Sequence, residues 1–280
     1  MKLAQRLAIG LIRTRINLTA MASRKKAAAM AFELFCTPVR RSRKKAPGIF
    51  ESAEKLSFPL EGNIVRGYRW NHPQEKKFLI VHGFESSSRN FDRYISPMIK
   101  KGYEVIAFDA PAHGASAGKT VNLPLYTSML KEVSNRFGPV SAFLAHSFGG
   151  LALAHLLEII NHDGTTRVVL IAPATETTSA IDSFFGFLKL DPSLREPFES
   201  LIVEKGGVPS SHYSIRRAMH HIRATVLWIH DEDDDTTLLK DALQVSDDHH
   251  PNVEFMITKG LGHRRIYREN KVVKRVLEFF

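Results

Sequence analysis

The chain has 280 residues, enough for one large domain or two small ones, and its hydrophobic fraction of 44% is ordinary for a globular protein. Its single cysteine, Cys36, excludes an intrachain disulfide and a zinc site built from cysteines. Residues 1–46 hold 12 Lys and Arg against one acidic residue, whereas the rest of the chain is nearly neutral, with 27 basic and 28 acidic side chains. A basic arm on a neutral body favours a surface contact made by the arm alone, and no nucleic acid is expected as a partner.

The basic arm, residues 1–46, does not have the pattern of a signal peptide. Its first apolar stretch, LAIGLI, has only six residues before Arg13 and Arg15 interrupt it. The next apolar run, 27–36, is too short to span a bilayer, and RRSRKK at 40–45 is typical of a solvated link. Five apolar side chains share one face of a predicted helix: Leu3, Leu7, Leu11, Leu18 and Met21.

Three interpretations of the arm follow from this pattern. The arm packs its apolar faces on the body, it lies on the surface of an anionic membrane, or it is a cleaved presequence of mitochondrial type, rich in Arg and poor in acids. We expect a cytoplasmic protein, which the second interpretation would make peripheral to a membrane.

From residue 56 to residue 173, strand and helix signals alternate. Short apolar runs predict buried strands, and amphipathic stretches that end at glycine predict helices. The predicted strands are two within 56–70 and one each at 77–83, 103–109, 140–147 and 166–173, and the predicted helices are 87–102, 123–138 and 148–160.

The alternation lapses over residues 174–222, which contain two helix-like pieces and no convincing strand. It then resumes with strands at 224–230 and 252–258, a helix near 236–246 and a last helix to Phe280. Repeated strand–helix units predict an α/β fold with a mostly parallel sheet and helices on both faces. The sequence therefore predicts a helical arm (1–46) and an α/β domain (47–280) that carries a small helical cap at about 174–222.

Four short stretches lie at the carboxyl ends of predicted strands. They are His82-Gly83-Phe84, Ser147 within AHSFGG, the acidic stretch HDEDDD (230–235) and GLGH, which ends at His263. Strand ends on one edge of a parallel sheet share the same space, so that residues far apart in sequence can meet there. The small-x-Ser-x-Gly pattern around Ser147 has Ala145 where glycine is usual, and we expect the added methyl group to be tolerated.

From about residue 56 to residue 280 the chain resembles the α/β-hydrolase family, in which serine, acid and histidine follow in this order. VHGFESS resembles its oxyanion loop, AFDAPAHGASAG (107–118) its D-x-x-G-H-G-x-S segment, and GLGH its histidine loop. WIHDEDDDTT resembles its I-H-G-x-x-D acid strand, with Asp231 in place of the glycine. Within the family, the FDAPAHG and HDEDD versions and the arm ending in LFCTP resemble a group of uncharacterised small bacterial serine hydrolases and esterases with a basic N-terminal arm.

The resemblance implies a catalytic triad and an oxyanion hole without a cofactor or a metal. Ser147 would be the nucleophile and His263 its base. The family spacing H-x-x-x-D, counted from His230, favours Asp234 as the acid, with Asp233, Asp235 and Glu176 as alternatives. The backbone N–H groups of Phe84 and Phe148 would form the oxyanion hole.

Other residues are candidates for the substrate pocket. Phe184 and Phe185 suggest an apolar acyl pocket, unless they are part of a plain core. Gly83 and Glu85 flank the oxyanion loop, and Glu85 either orients a substrate or caps the following helix, with the cap favoured. His146 flanks the site, and a structural role is favoured for it, as for His82 and His113. No histidine pair has the context of a metal site.

The sequence therefore predicts a serine hydrolase that cleaves carboxylic ester or thioester bonds of a small-molecule substrate through an acyl-enzyme. A peptidase or amidase of the same fold and a non-catalytic module that binds membranes through residues 1–46 remain as alternatives.

Overall fold

In the computed structural model the chain divides into two compact units. The smaller unit comprises Met1–Thr37 and Glu176–Ser214, and the larger comprises Pro38–Thr175 and Ile215–Phe280. The structure describes residues 3–39 and 46–280, with side chains from residue 7 onward. The predicted link at 40–45 lies outside the described residues.

The larger unit contains one sheet of eight strands. In chain order these are β1 (Glu54–Leu60), β2 (Asn63–Trp70), β3 (Lys77–Val81), β4 (Glu104–Asp109), β5 (Ala142–His146), β6 (Arg167–Ile171), β7 (Thr225–Asp231) and β8 (Val253–Thr258). Their order across the sheet is β1-β2-β4-β3-β5-β6-β7-β8. β2 runs antiparallel to β1 and to β4, and all other neighbours are parallel. This arrangement confirms the predicted mostly parallel α/β sheet.

Helices belong to both units. In chain order they are α1 (Leu3–Ala22), α2 (Arg24–Phe35), α3 (Asp92–Lys100), α4 (Leu123–Phe137), α5 (Phe148–Leu157), α6 (Thr177–Leu188), α7 (Arg195–Gly206), α8 (Ile215–Ala218), α9 (Leu239–Asp247), α10 (Gly262–Arg265) and α11 (Asn270–Phe279). Of these, α1, α2, α6 and α7 lie in the smaller unit. No helix among the described residues is long and apolar enough to cross a membrane.

The central strands are short apolar runs because helices cover both faces of a parallel sheet. In KFLIV of β3 every residue after Lys77 is buried, and all five residues of AFLAH in β5 are buried. One face of the sheet and helices α3 and α11 share a continuous apolar core that includes Phe78, Tyr94 and Val276. Ser147 therefore follows a fully buried strand, β5, and the acidic stretch around Asp234 follows β7, in which every residue after Thr225 is buried.

The two largest differences from the predicted boundaries concern the start of a helix and the end of the insertion. The helix predicted from residue 87 begins at Asp92, after a 3₁₀ turn at Ser88–Phe91, because the buried carboxylate of Asp109 accepts hydrogen bonds from the backbone and hydroxyl of Ser88. The insertion ends at Ser214 rather than near 222, because α8 packs on α5 of the larger unit and buries Ile215 and Ala218 completely.

The smaller unit combines the arm with the insertion between β6 and β7. Ser23 caps α2 by accepting a hydrogen bond from the Lys26 N–H, and α2 packs on α7. At the two ends of the insertion, the Ser214 hydroxyl donates to Glu176 over 2.6 Å.

An aromatic cluster forms the core of the smaller unit. The ring of Phe198 is fully buried, with edge-to-face neighbours Phe32 and Phe35 from the arm at centroid distances of 5.5 and 5.8 Å. Phe185 lies 5.3 Å from Phe198, and Phe184 lies 5.1 Å from Phe35. The two phenylalanines considered for an acyl pocket are thus partners in this aromatic core.

The apolar stripe of α1 points outward. Leu7, Leu11, Leu18 and Met21 are 61, 73, 62 and 85% exposed, whereas Ile16 on the opposite face is 2% exposed. The prediction that these side chains share one face agrees with the helix, although the side chain of Leu3 lies outside the described residues.

The packing of the aromatic cluster predicts an asymmetry between two phenylalanines of the insertion. Replacing Phe198 by alanine removes a fully buried ring and should lower the free energy of unfolding by about 3–5 kcal/mol. The matched control is Phe187→Ala, which truncates a ring that is 59% exposed and should change it by less than about 0.5 kcal/mol. Urea unfolding followed by circular dichroism measures both, and equal losses would contradict the described core.

Candidate active site

Ser147 lies at the turn between β5 and α5. Its backbone has φ 55° and ψ −128°. Residues other than glycine adopt this positive-φ conformation only under strain. The turn is tight, since a Cβ on Gly149 would lie 2.3 Å from the carbonyl oxygen of His82. Ala145 is fully buried in β5, so its methyl group is accommodated there. Such a sharp strand-to-helix turn presents the serine hydroxyl at the edge of the sheet.

The side chains of Ser147, His263 and Asp234 form one continuous hydrogen-bonded line. His263 Nε2 lies 2.9 Å from Ser147 Oγ, and His263 Nδ1 lies 2.8 Å from Asp234 Oδ2. All three residues are buried, with 6, 9 and 5% of their surface exposed. With its Nδ1–H donated to the carboxylate, the imidazole can accept the serine proton at Nε2.

Asp234 is held by the turn that follows β7. Its Oδ1 accepts the backbone N–H groups of Thr236 and Thr237, each over 2.8 Å, and its Oδ2 accepts the Thr237 hydroxyl over 2.9 Å. Burial alone would raise the pKa of Asp234, but the hydrogen bonds from His263 and from this turn lower it below its usual range. The carboxylate is therefore charged where it meets the imidazole.

The other candidate acids point elsewhere. Asp233 accepts the backbone N–H of Gly260 over 3.0 Å, and Asp235 is exposed and accepts the Thr236 hydroxyl over 3.2 Å. Glu176 belongs to the smaller unit, where it accepts the Ser214 hydroxyl. Of the four carboxylates, the structure brings that of Asp234 to His263.

Two backbone N–H groups flank the serine. Among the described residues, neither the N–H of Phe84 nor that of Phe148 donates a hydrogen bond, and the two rings lie 6.0 Å apart, edge to face. Gly83 packs directly against Ser147, since a Cβ at position 83 would come within 2.7 Å of the serine Cβ. The N–H of Phe148 also lies at the N-terminus of α5, where the helix dipole favours negative charge.

Two buried histidines, His82 and His146, lie next to the line of hydrogen bonds. Burial lowers the pKa of His82 to about 4, and its ring bonds the Gly83 carbonyl and the Ala110 N–H. Burial and the neighbouring His263 lower the pKa of His146 to about 3. His146 Nε2 lies 3.0 Å from the carbonyl oxygen of His263, so its N–H donates there. Both histidines are therefore neutral at pH 7, and their rings form hydrogen bonds with backbone groups.

His113 and Glu85 connect the oxyanion loop to its surroundings. His113 Nε2 accepts the backbone N–H of Glu85 over 3.0 Å, so the imidazole donates from Nδ1 to Pro111. The Glu85 side chain accepts the Val39 N–H over 3.2 Å and pairs with Arg264 at 3.6 Å. The favoured interpretation of Glu85 as a helix cap is wrong, because its carboxylate is turned towards these two partners.

Asp231 and Thr237 contact the site, and sequence reasoning assigned them no role. The Thr237 hydroxyl lies between Asp234 Oδ2 and His263 Nδ1, which is 3.1 Å away. Asp231 is fully buried and accepts the backbone N–H of Gly262, next to His263, over 2.9 Å. The signal available for Asp231 was its replacement of the family glycine. In the part of the chain that the structure describes, no group of three or more His, Cys, Asp or Glu side chains is arranged to hold a metal ion.

Curated proteins with similar sequences come from Bacillus subtilis (strain 168). The chain is 26% identical over 207 residues to the uncharacterised protein YqkD, a match that covers 66% of this chain and 65% of YqkD. It is 28% identical over 97 residues to the uncharacterised hydrolase YugF, covering 33% of this chain and 35% of YugF. The chain thus spans less than two thirds of the length of these relatives.

Solved structures with the same fold include an esterase of Pyrococcus furiosus, with a TM-score of 0.64 and 22% identity over 87% of this chain and 96% of that one. They also include the esterase Est1E of Butyrivibrio proteoclasticus with bound ferulic acid, with a TM-score of 0.63 and 17% identity over 80% of this chain and 97% of that one. At these identities the likeness shows the fold alone.

A family model described as Serine aminopeptidase, S33 (Hydrolase_4) matches residues 72–212, half of the chain. The match includes β3, Ser147 and most of the insertion. The chain therefore belongs to the serine aminopeptidase S33 family of α/β-hydrolases.

Proposed function

We propose that the protein is a serine hydrolase that cleaves carboxylic esters or thioesters through an acyl-enzyme on Ser147. The observation that carries the proposal is the hydrogen-bonded line from Asp234 through His263 to Ser147. A serine hydroxyl is a weak nucleophile at neutral pH and needs an adjacent base. A buried carboxylate on the far side of that base holds its tautomer and stabilises its protonated form.

In the first half of the reaction, Ser147 Oγ attacks the substrate carbonyl while His263 Nε2 takes its proton. The carbonyl oxygen becomes an oxyanion, which the N–H groups of Phe84 and Phe148 bind. As the tetrahedral intermediate collapses, His263 returns the proton to the leaving alcohol or thiol, and the acyl group remains on Ser147.

In the second half, a water molecule takes the place of the leaving group. His263 removes a proton from this water, which attacks the acyl carbonyl and forms a second oxyanion in the same position. Collapse breaks the bond to Ser147 Oγ, His263 returns its proton to the serine, and the carboxylic acid leaves.

Two observations favour an ester or thioester over a peptide. Structural neighbours are named as esterases and as a thioesterase domain, although the family description names an aminopeptidase. An aminopeptidase needs carboxylates free to bind the substrate amine, but Asp182 and Glu199 of the insertion both pair with Arg195. Asp191 of the insertion accepts the backbone N–H of Ser193 over 2.8 Å.

The geometry at Asp234 predicts the effect of a neutral isostere. In Asp234→Asn the amide oxygen would still accept the backbone N–H groups of Thr236 and Thr237, leaving the NH₂ group to face His263 Nδ1. The imidazole would then carry its proton on Nε2 and could not accept that of Ser147. We expect kcat on p-nitrophenyl esters to fall roughly 10³–10⁴-fold with little change in KM.

The matched control is Asp235→Asn, which neutralises an exposed neighbour and should leave kcat unchanged. Ser147→Ala removes the hydroxyl group that would form the acyl-enzyme, so ester hydrolysis should be nearly abolished. Equal rates for wild type and Ser147→Ala, or equal losses for the two asparagine variants, would contradict the proposed roles.

A comparison of substrates tests the proposed bond type. We expect the wild-type protein to hydrolyse p-nitrophenyl esters and acyl thioesters far faster than aminoacyl naphthylamides, because Asp182 and Glu199 of the insertion pair with Arg195 rather than being free to bind a substrate amine. Turnover of the naphthylamides without esterase activity, lost in Ser147→Ala, would assign the protein to the peptidases instead.

We further propose that α1 binds the surface of an anionic membrane. Its outward stripe of Leu7, Leu11, Leu18 and Met21 is an apolar face that water would disfavour. Arg15 of α1 is exposed, as are Arg24, Lys25 and Lys26 at the start of α2, and residues 1–46 carry a single acid. An amphipathic helix of this composition lies in the headgroup region with its apolar face inserted. A second copy of the chain would bring two strongly cationic arms together, so charge favours the lipid.

Vesicle sedimentation tests the membrane proposal. We expect the protein to bind vesicles containing phosphatidylserine, to release them at high salt, and to bind pure phosphatidylcholine weakly. The double variant Leu11→Ser/Leu18→Ser should bind at least about tenfold less, because each buried leucine contributes about 1.5–3 kcal/mol.

The control variant is Leu243→Ser, which changes an exposed leucine of α9 and should bind like the wild type. Salt-independent or equal partitioning into both kinds of vesicle would refute the proposal. A dimer in solution that the double variant abolishes, without vesicle binding, would assign the stripe to a second copy of the chain.

A further inference from the structure

The loop between β8 and α10 forms a small anion-binding concavity. Gly260 and Gly262 have φ values of +83° and +61°, and Leu261 between them is in the right-handed region at φ −94° and ψ −37°. Alternation of left- and right-handed backbone turns successive N–H groups to the same side, which makes a nest for an anion. This loop directly precedes His263.

The anion in this nest is the side chain of Asp231 at the end of β7. Its Oδ1 accepts the N–H of Gly262 over 2.9 Å and that of Leu261 over 3.2 Å, and Oδ2 also lies 3.2 Å from the Leu261 nitrogen. The third N–H, that of Gly260, donates to Asp233 over 3.0 Å. Two carboxylates of the β7 turn therefore hold all three successive N–H groups of the loop.

Among the described residues, the Asp231 carboxylate accepts hydrogen bonds from backbone N–H groups and from one hydroxyl group. It is fully buried, it accepts the Thr258 hydroxyl over 2.7 Å and the Asp233 N–H over 3.1 Å, and it does not contact the imidazole. Burial acts to raise its pKa, but the hydrogen bonds from Thr258 and from the loop lower it below its usual range. A buried charge with this many donors is stable only if the donors stay in place, so it restrains them.

The backbone is thereby held both before and after His263. On the N-terminal side, Asp231 holds the N–H groups of Leu261 and Gly262. On the C-terminal side, the carbonyl oxygen of His263 accepts a hydrogen bond from the ring Nε2–H of His146 over 3.0 Å. An imidazole that has to face Ser147 and Asp234 at once tolerates little movement of its own backbone.

We infer that Asp231 is a positioning residue, an internal anion that locks the loop before His263 and so sets the alignment of the imidazole with Ser147. The inference rests on the proposed function. It assigns different roles to two neighbouring aspartates, because Asp231 binds the backbone N–H groups of the loop and Asp234 binds the His263 imidazole. It also explains why this chain has an aspartate where the resemblance to the family leads one to expect glycine.

The test compares Asp231→Ala and Asp231→Asn with the wild type and with Asp235→Asn, using the full chain and a p-nitrophenyl ester. Circular dichroism and thermal unfolding establish a temperature at which each variant is folded. Steady-state kinetics then give kcat and KM, and a fluorophosphonate probe gives the rate at which Ser147 is labelled.

Asp231→Ala leaves no anion in the nest. We expect kcat and the labelling rate of the folded enzyme to fall roughly 100-fold, because a small misplacement of a catalytic group has an effect of this size. KM should stay within about twofold of the wild-type value. Asp231→Asn keeps an oxygen for the loop but no charge, so activity should be partly retained, with a loss of roughly tenfold. Asp235→Asn should behave as the wild type.

A folded Asp231→Ala with wild-type kcat and labelling rate would overturn the inference, as would a loss confined to KM. If the alanine variant does not fold, the isosteric Asp231→Asn decides, and unchanged kcat and labelling in it would likewise overturn the inference. Failure of the proposed function is distinguishable, because wild-type protein would then hydrolyse the ester no faster than Ser147→Ala.

Discussion

The parallel pairing of β3, β5, β6, β7 and β8 is the constraint on which the candidate site depends. Parallel strands end at one edge of the sheet, and the turns after them share that edge. Ser147 follows β5 and His263 follows β8, so that two side chains 116 residues apart in sequence come within hydrogen-bond distance. A slip of one residue in any of these strands would turn its side chains to the opposite face. The apolar runs that fix the register therefore also fix the site.

Burial determines which groups around the serine carry a charge. The imidazoles of His82 and His146 are out of water without a carboxylate partner, and their pKa values fall to about 4 and 3. Asp234 and Asp231 are buried too, but each is surrounded by donors that hold its pKa low. Neutral imidazoles bind backbone, and His263 is the imidazole placed between a carboxylate and the serine hydroxyl. The environment thus separates structural histidines from the one that faces Ser147.

Much of this arrangement could be predicted from the sequence, because local patterns determine it. Short apolar runs ending in polar residues marked the central strands, and the spacing from His230 selected Asp234, which the structure brings to His263. Choosing among neighbouring acids depended on resemblance, because the direction of each carboxylate is set by the turn, where Thr236 and Thr237 bind Asp234.

Other features depend on contacts between segments far apart in sequence. The composition of the insertion does not reveal that Phe184 packs on Phe35 of the arm, or that Glu85 pairs with Arg264 instead of capping a helix. The helical period showed that Leu11 and Leu18 share a face, but a period cannot tell whether that face points inward or outward.

The acidic turn after β7 shows why residue type alone does not determine a role. Asp231 and Asp234 lie three positions apart, are both buried, and both accept backbone N–H groups. They differ in what faces the remaining lone pairs, which is the Thr258 hydroxyl for Asp231 and the His263 imidazole for Asp234. A carboxylate surrounded by donors that do not titrate can only hold geometry, whereas one that faces an imidazole also stabilises the charge that forms there. The glycines on either side of Leu261 are what allow the first arrangement, because their left-handed backbone turns the loop N–H groups towards the sheet edge.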